Sequence, residues 1–183
     1  MFAVTPRLFL RPGWPEDAGN LFAMINDEMI VRNLANAPWP YSLKDAENFL
    51  SLPTDPVGPR WLIFSRTIAR PQLLGCIGIG RLENRDIELG YWIARPHWGQ
   101  GYATEAGQAV LETAKALGHE HLIASHFLDN PASGAVLRKL GFKPTGQTIP
   151  RYSLGRNREA KTLEYSRALS EPNECEVMRK IAA

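Results

Sequence analysis

The sequence predicts an α/β (α+β) domain with an antiparallel meander at its centre, and three observations carry that expectation. Between Trp61 and Ala94 three strand-like runs follow one another across turns too short for a crossover connection. After Gly101 the apolar spacing changes to that of a helix, and a short apolar run at His121–Phe127 then precedes an Asn-Pro helix start. The length of 183 residues suits one compact domain, large enough to need no disulfide or metal staple.

Each element has its own local reason. Leu8 and Leu10 alternate with Arg7, Phe9 and Arg11, and Pro12 ends this first strand. Pro15-Glu16-Asp17 supplies a proline and two acids at a helix start, and Ala18, Leu21, Phe22 and Ile25 continue at helical spacing to about Asp27. Pro38-Trp39-Pro40-Tyr41 is loop, and Ser42 caps a short helix whose apolar stripe is Ala46, Phe49 and Leu50. The prolines between Pro53 and Pro59 mark another loop. The three central strands run Trp61–Ala69, Leu73–Glu83 and Asp86–Ala94, with a polar turn at Asn84-Arg85, and Gly75, Gly78 and Gly80 predict a bulge or a close backbone approach in the middle one. Ala106, Val110, Ala114 and Leu117 repeat along a helix that Gly118 stops. Asn130 caps the last helix with Pro131 at its first position, and Ala135, Val136 and Leu140 face inward before Gly141. Two final strands are expected near Thr145–Ile149 and Thr162–Leu169, so the domain spans 1–170 and residues 171–183 form a polar tail.

Composition narrows the function classes. The formal charge of +2 permits anionic ligands but falls short of a dedicated nucleic-acid binder, so no direct nucleic-acid partner is expected. Cys76 lies in an apolar run and Cys175 in the polar tail, which gives a bridge little support and suits a reduced, cytoplasmic protein. The N-terminus has no basic segment leading into a long apolar stretch, and no apolar run reaches the roughly 18 residues of a membrane span. His97, His119 and His121 lack metal-ligand spacing with carboxylates or cysteines, so no metal is expected.

The informative unit is strand, glycine loop, helix, strand, Asn-capped helix. Gly99 and Gly101 let the chain turn tightly ahead of the helix, so that several backbone N–H groups can converge on an anion such as a pyrophosphate. The three-glycine dinucleotide fingerprint is missing, and so is the Gly-Lys-Ser/Thr of a P-loop.

Taken together, Thr5-Pro6-Arg7-Leu8, Glu88-Leu89-Gly90-Tyr91-Trp92, Trp98-Gly99-Gln100-Gly101-Tyr102-Ala103-Thr104-Glu105-Ala106, and Asn130-Pro131-Ala132-Ser133 through Lys139-Leu140-Gly141-Phe142 resemble the GNAT superfamily of acetyl-CoA-dependent N-acetyltransferases. Within it they look most like the RimJ/RimL-like branch of ribosomal-protein N-terminal acetyltransferases. The resemblance implies a mixed, mostly antiparallel sheet of about seven strands flanked by about four helices. That sheet splits between its fourth and fifth strands, Ile87–Ala94 and His121–Phe127. It further implies acetyl-CoA as co-substrate, its pantetheine pairing with backbone at Ile93, Ala94 and Arg95. The motif Gln/Arg-x-x-Gly-x-Gly/Ala maps onto Trp98, Gly99, Gln100, Gly101, Tyr102 and Ala103, with Thr104 just inside the helix. Trp98 replaces the motif's usual first residue, which leaves the backbone contacts. Asn130 would reach the pantetheine arm and Ser133 the sulfur.

An amine attacks a thioester only when neutral, so N-acetyl transfer needs a base and donors for the oxyanion. Glu88 is the candidate base, or alternatively a salt-bridged strand carboxylate; Ser133 is the candidate donor to the leaving thiolate, or a first-turn serine bonding local backbone. Many family members carry a tyrosine acid four residues before the Gly-Phe pair, where this chain has Leu137. His126 could assist a proton transfer or simply pack, and Trp39 and Tyr41 could line an acceptor pocket or anchor their loop. Arg151, Arg156 and Arg158 with Tyr152 could grip an anion or be solvated. The expected partner is an amine acceptor, a protein N-terminus or a small molecule such as an antibiotic, polyamine or amino acid, and a homodimer is compatible. A non-catalytic acyl-CoA-binding module is the rival from another class.

Overall fold

The computed structural model describes residues 1–53, 55–66, 70–82 and 86–169. In chain order the elements are β1 (Ala3–Val4), β2 (Leu8–Arg11), a 3-10 turn (Pro15–Asp17), α1 (Ala18–Ile25), α2 (Glu28–Val31), α3 (Leu43–Ser51), β3 (Arg60–Ser65), β4 (Leu73–Arg81), β5 (Ile87–Ile93), a 3-10 turn (Arg95–His97), α4 (Tyr102–Ala116), β6 (His121–Phe127), α5 (Pro131–Lys139), β7 (Lys143–Ser153) and β8 (Arg158–Ala168). Local signals account for several boundaries. Ser42 accepts from the Asp45 amide while Asp45 reaches back to the Ser42 amide, a reciprocal cap for α3. Gly118 and Gly141 follow α4 and α5 at φ +83° and +78°, the left-handed stops that spacing predicts.

The strands form one sheet in the order β1-β2-β3-β4-β5-β6-β8-β7. Neighbours are antiparallel except β5 and β6, which run parallel and register at one pair, Glu88 with Ile123. Beyond that pair the two strands separate, so the sheet splits where the resemblance implies. The central strands are apolar on both sides because both faces are covered. On one face Trp61, Ile63, Leu89 and Ile93 pack with Ala106, Val110 and Leu137 of α4 and α5. On the other, Leu62, Phe64, Cys76 and Trp92 pack with Leu21, Ile25 and Ala46 of α1 and α3. Of the three β4 glycines, Gly75 shows the tightest approach: a Cβ there would stand 2.1 Å from the Trp92 carbonyl oxygen.

Two elements add to the expected seven strands and four helices. β1 has two residues and α2 has four, too short for periodicity to reveal. The β7–β8 hairpin is longer than expected, with 11 residues in each strand. The expected strand ends at Ala69 and Glu83, the turn at Asn84-Arg85, Cys175 and the tail 171–183 lie outside the described residues.

Candidate active site

The exposed edge of β5 is where the site begins. The Ala94 amide donates to the Leu74 carbonyl at 2.7 Å, so in this antiparallel ladder Trp92 and Ala94 direct backbone groups at β4. Those of Tyr91 and Ile93 therefore face the split. Trp98 turns back onto this edge, its indole Nε1–H donating to the Ile93 carbonyl at 2.6 Å. A carbonyl oxygen has a second lone pair, so this bond fixes the turn after β5 without using up the acceptor.

The glycine loop follows directly. Gly99 and Gly101 sit at φ +73° and +80°, and Gly101 is the N-cap of α4 with no side-chain cap. The first helical bond runs from the Glu105 amide to the Gly101 carbonyl, so the Tyr102, Ala103 and Thr104 amides precede it and have no intrahelical partner. Free amides at the start of a 15-residue helix make an anion cradle. Arg7, which sequence reasoning did not single out, braces the loop: its Nη1 donates to the Gln100 carbonyl at 3.0 Å and its guanidinium lies 4.6 Å over the Tyr102 ring.

The two catalytic candidates stand on opposite faces of the sheet at the split, as alternation along β5 requires. Glu88 shares the face of Trp92. Its Oε1 accepts from Arg151 Nη1 at 2.7 Å and from Ser125 Oγ at 3.0 Å, and its Oε2 accepts from Arg151 Nη2 at 3.1 Å. Glu88 on β5, Ser125 on β6 and Arg151 on β7 thus bridge the divided sheet. On the other face the Tyr91 hydroxyl lies 2.7 Å from Ser133 Oγ, in the first turn of α5. Burial, partly offset by that hydrogen bond, pushes the Tyr91 phenol up to about 12. Asn130 holds the N-cap position of α5 without a side-chain cap bond, so its half-buried amide is not used for capping.

These pieces open into one cleft of about 1170 Å³. Glu88, Ile93, Trp98, Gly99, Gly101, Tyr102, Ala103, Thr104, Asn130 and Ser133 all line it. Ala94, Arg95 and Gln100 do not: Ala94 is buried in the β4 pairing, the exposed Arg95 is 3.7 Å from Asp27, and Gln100 Nε2 donates to the Pro96 carbonyl at 3.2 Å. Tyr41 and Phe49 also line the cleft, whereas Trp39 stands exposed outside it. His126 lines the cleft with both ring nitrogens engaged, Nδ1 with the Phe127 carbonyl at 2.9 Å and Nε2 with the Tyr165 hydroxyl at 3.4 Å. Leu137, where a tyrosine acid is common in the resembled family, is core, 1% exposed.

The basic stretch is neither free nor uniformly solvated. Arg151 pairs with Glu88, and Arg156, its side chain 5% exposed, makes a two-pronged bond to Asp129 and stacks 4.4 Å over Phe127. The hydrogen bond from Arg156 holds the Asp129 carboxyl below the usual range. Among the described residues no cluster of three metal-ligating side chains occurs, and no helix is long and apolar enough to cross a membrane.

Comparison with known proteins agrees with this architecture. Residues 7–143 match the family model described as an acetyltransferase (GNAT) domain. The Uncharacterized N-acetyltransferase YoaA of Bacillus subtilis (strain 168) is 33% identical over 150 residues, covering 78% of this chain and 82% of that protein. The ribosomal-protein-serine acetyltransferase of Escherichia coli (strain K12) is 34% identical over 74 residues, 39% of this chain and 41% of that protein. A solved RimL ribosomal L7/L12 α-N-protein acetyltransferase in complex with coenzyme A shares the fold at a TM-score of 0.74 and 19% identity, over 92% of this chain and 98% of that one.

Proposed function

The chain belongs to the GNAT acetyltransferase family, and we propose from that premise that it moves the acetyl group of acetyl-CoA onto a primary amine by direct attack, with a protein N-terminal amine as acceptor. One observation carries the coenzyme assignment: the free amides of the glycine loop, the split-facing edge of β5 and the Tyr91–Ser133 pair all line a single cleft. The acceptor class follows the relatives named for ribosomal-protein substrates.

In this reading the amides of Gly101 to Thr104 hold the pyrophosphate, the Ile93 edge pairs with the pantetheine arm, and Asn130 reaches that arm from α5. The thioester lies in the split. The acceptor enters from the face of Glu88, which takes its proton directly or through water. The amine nitrogen bonds the carbonyl carbon, β5 amides facing the split stabilise the oxyanion, and the carbon–sulfur bond then breaks. The thiolate leaves toward Ser133, which supplies a proton with Tyr91 behind it. Among the described residues the cysteine that lines the cleft, Cys76, is buried on β4 and its thiol is pushed up to about 12, which makes it a poor nucleophile, so the acetyl group passes straight to the amine.

Thiol release from acetyl-CoA tests the whole assignment. It is measured with peptides bearing a free N-terminal amine, the same peptides blocked at that amine, and a panel of small amines. Release with free but not blocked peptides supports the proposal. Release confined to small amines overturns the acceptor, and tight acetyl-CoA binding without release to any amine overturns the transfer.

A further inference from the structure

We propose that Arg7 is a positioning residue for the coenzyme's pyrophosphate, fixing the Gln100–Gly101 peptide plane so that the Gly101 amide points into the cleft. The inference rests on the coenzyme assignment above and adds a device from the opposite end of the chain. Arg7 enters β2 beside the start of α4 and is anchored there at two points: its backbone amide donates to Glu105 Oε1 at 2.9 Å, and its Nε to Glu105 Oε2 at 2.6 Å. Thr5 Oγ1 adds a third bond to Glu105 at 2.6 Å. With the stem so held, Nη1 reaches the Gln100 carbonyl at 3.0 Å.

A trans peptide is planar, with its C=O and N–H pointing in opposite directions. A Gln100 carbonyl turned toward Arg7 therefore turns the Gly101 N–H away from it. Gly101 lines the cleft and Arg7 does not, and on this proposal the amide is turned to the cleft side. Glycine explores both signs of φ almost equally, and a loop with Gly99 and Gly101 at +73° and +80° would otherwise spend much of its time with this amide misdirected. Arg7 supplies the missing constraint, and its stacking over Tyr102 fixes the next residue in turn. A lysine cannot reproduce this, because one ammonium lacks the rigid fork that spans Glu105 and Gln100 together.

The test is equilibrium binding of coenzyme A and of pantetheine, which lacks the pyrophosphate, to the wild-type chain and to Arg7→Met and Arg7→Lys. Both Arg7 variants are expected to weaken coenzyme A at least about tenfold and pantetheine by less than about twofold. Full affinity in Arg7→Lys would overturn the proposal in favour of simple charge attraction. Unchanged binding in both Arg7 variants, or equal losses for the two ligands, would overturn it as well. A wild-type chain that binds coenzyme A no better than pantetheine sinks the cradle itself, and this inference with it.

Discussion

The Tyr91 hydroxyl stands 2.7 Å from the Ser133 hydroxyl, joining the split-side edge of β5 to the first turn of α5. With burial pushing its phenol up to about 12, Tyr91 keeps its proton through the neutral range and can donate to Ser133, whose own proton is then free for a leaving thiolate. Tyr91→Phe keeps the ring and removes this bond together with the phenol's 3.2 Å bond to the Ser133 carbonyl. It is expected to lower kcat roughly tenfold with KM for acetyl-CoA within about twofold, since the bond acts on a departing group rather than on binding. Steady-state kinetics decide; an unchanged kcat removes Tyr91 from the mechanism.

Glu88 faces the cleft while tied to Arg151 and Ser125. If it takes the amine proton, Glu88→Gln lowers kcat by about a hundredfold or more and flattens the rise of rate with pH. The pH profile of kcat is the measurement. A rise that survives in the variant leaves the Glu88–Arg151 pair as a brace across the split.

Gly101 has open space where a side chain would go: a Cβ there meets nothing nearer than Arg7 Nη2 at 3.5 Å. The obstacle to substitution is its φ of +80°, which a β-branched residue strongly disfavours. Gly101→Val is therefore expected to cost about 2 kcal/mol or more in coenzyme affinity, roughly thirtyfold, by abandoning the cradle conformation. Gly101→Asn, which tolerates that region better, should lose much less. Titration of both variants with coenzyme A checks the ordering, and equal affinities would contradict it.

Burial pushes the Cys76 thiol from 9.0, and the Tyr41 and Tyr91 phenols from 10.0, each up to about 12. Each group then releases its proton more readily from the unfolded chain than from the folded one. The stabilisation is complete below pH 9 and is lost as pH rises toward 12. Urea midpoints measured from pH 7 to 11 should hold steady to about pH 9 and then fall. Cys76→Ala should remove the earliest part of that decline; a midpoint independent of pH would refute the argument.

What was legible in the sequence was local, and what was hidden was not. The α4 start could be read from Gly101 and the α5 start from Asn130-Pro131, because caps, turns and periodicity act within a few residues. Glycine spacing likewise exposed the anion cradle. The ties that hold the site together span the chain: Tyr91 to Ser133 across 42 positions, Glu88 to Arg151 across 63, and Arg7 to Glu105 across 98. No pattern of period two or 3.6 encodes which distant residue a side chain will meet. For that reason nothing in the strand pattern around Tyr91 points to Ser133, and Arg151 reads as part of a basic stretch rather than as the partner of Glu88. Asn130 shows the converse: its position was legible, while its unused side-chain amide was not.

The hairpin joining β7 to β8 closes against the segment after α2. Ser153 Oγ donates to the Leu34 carbonyl at 2.8 Å, the Leu154 amide to the Ala35 carbonyl at 2.9 Å, and Arg156 to the Arg32 carbonyl. Asn33 to Ala37, the part of the cleft wall so held, are made early in synthesis and gain these partners only after Arg156 has left the ribosome. The Arg7 clamp on the glycine loop needs nothing beyond Glu105. On a growing chain the residues that brace the glycine loop therefore emerge before those that brace the opposite wall.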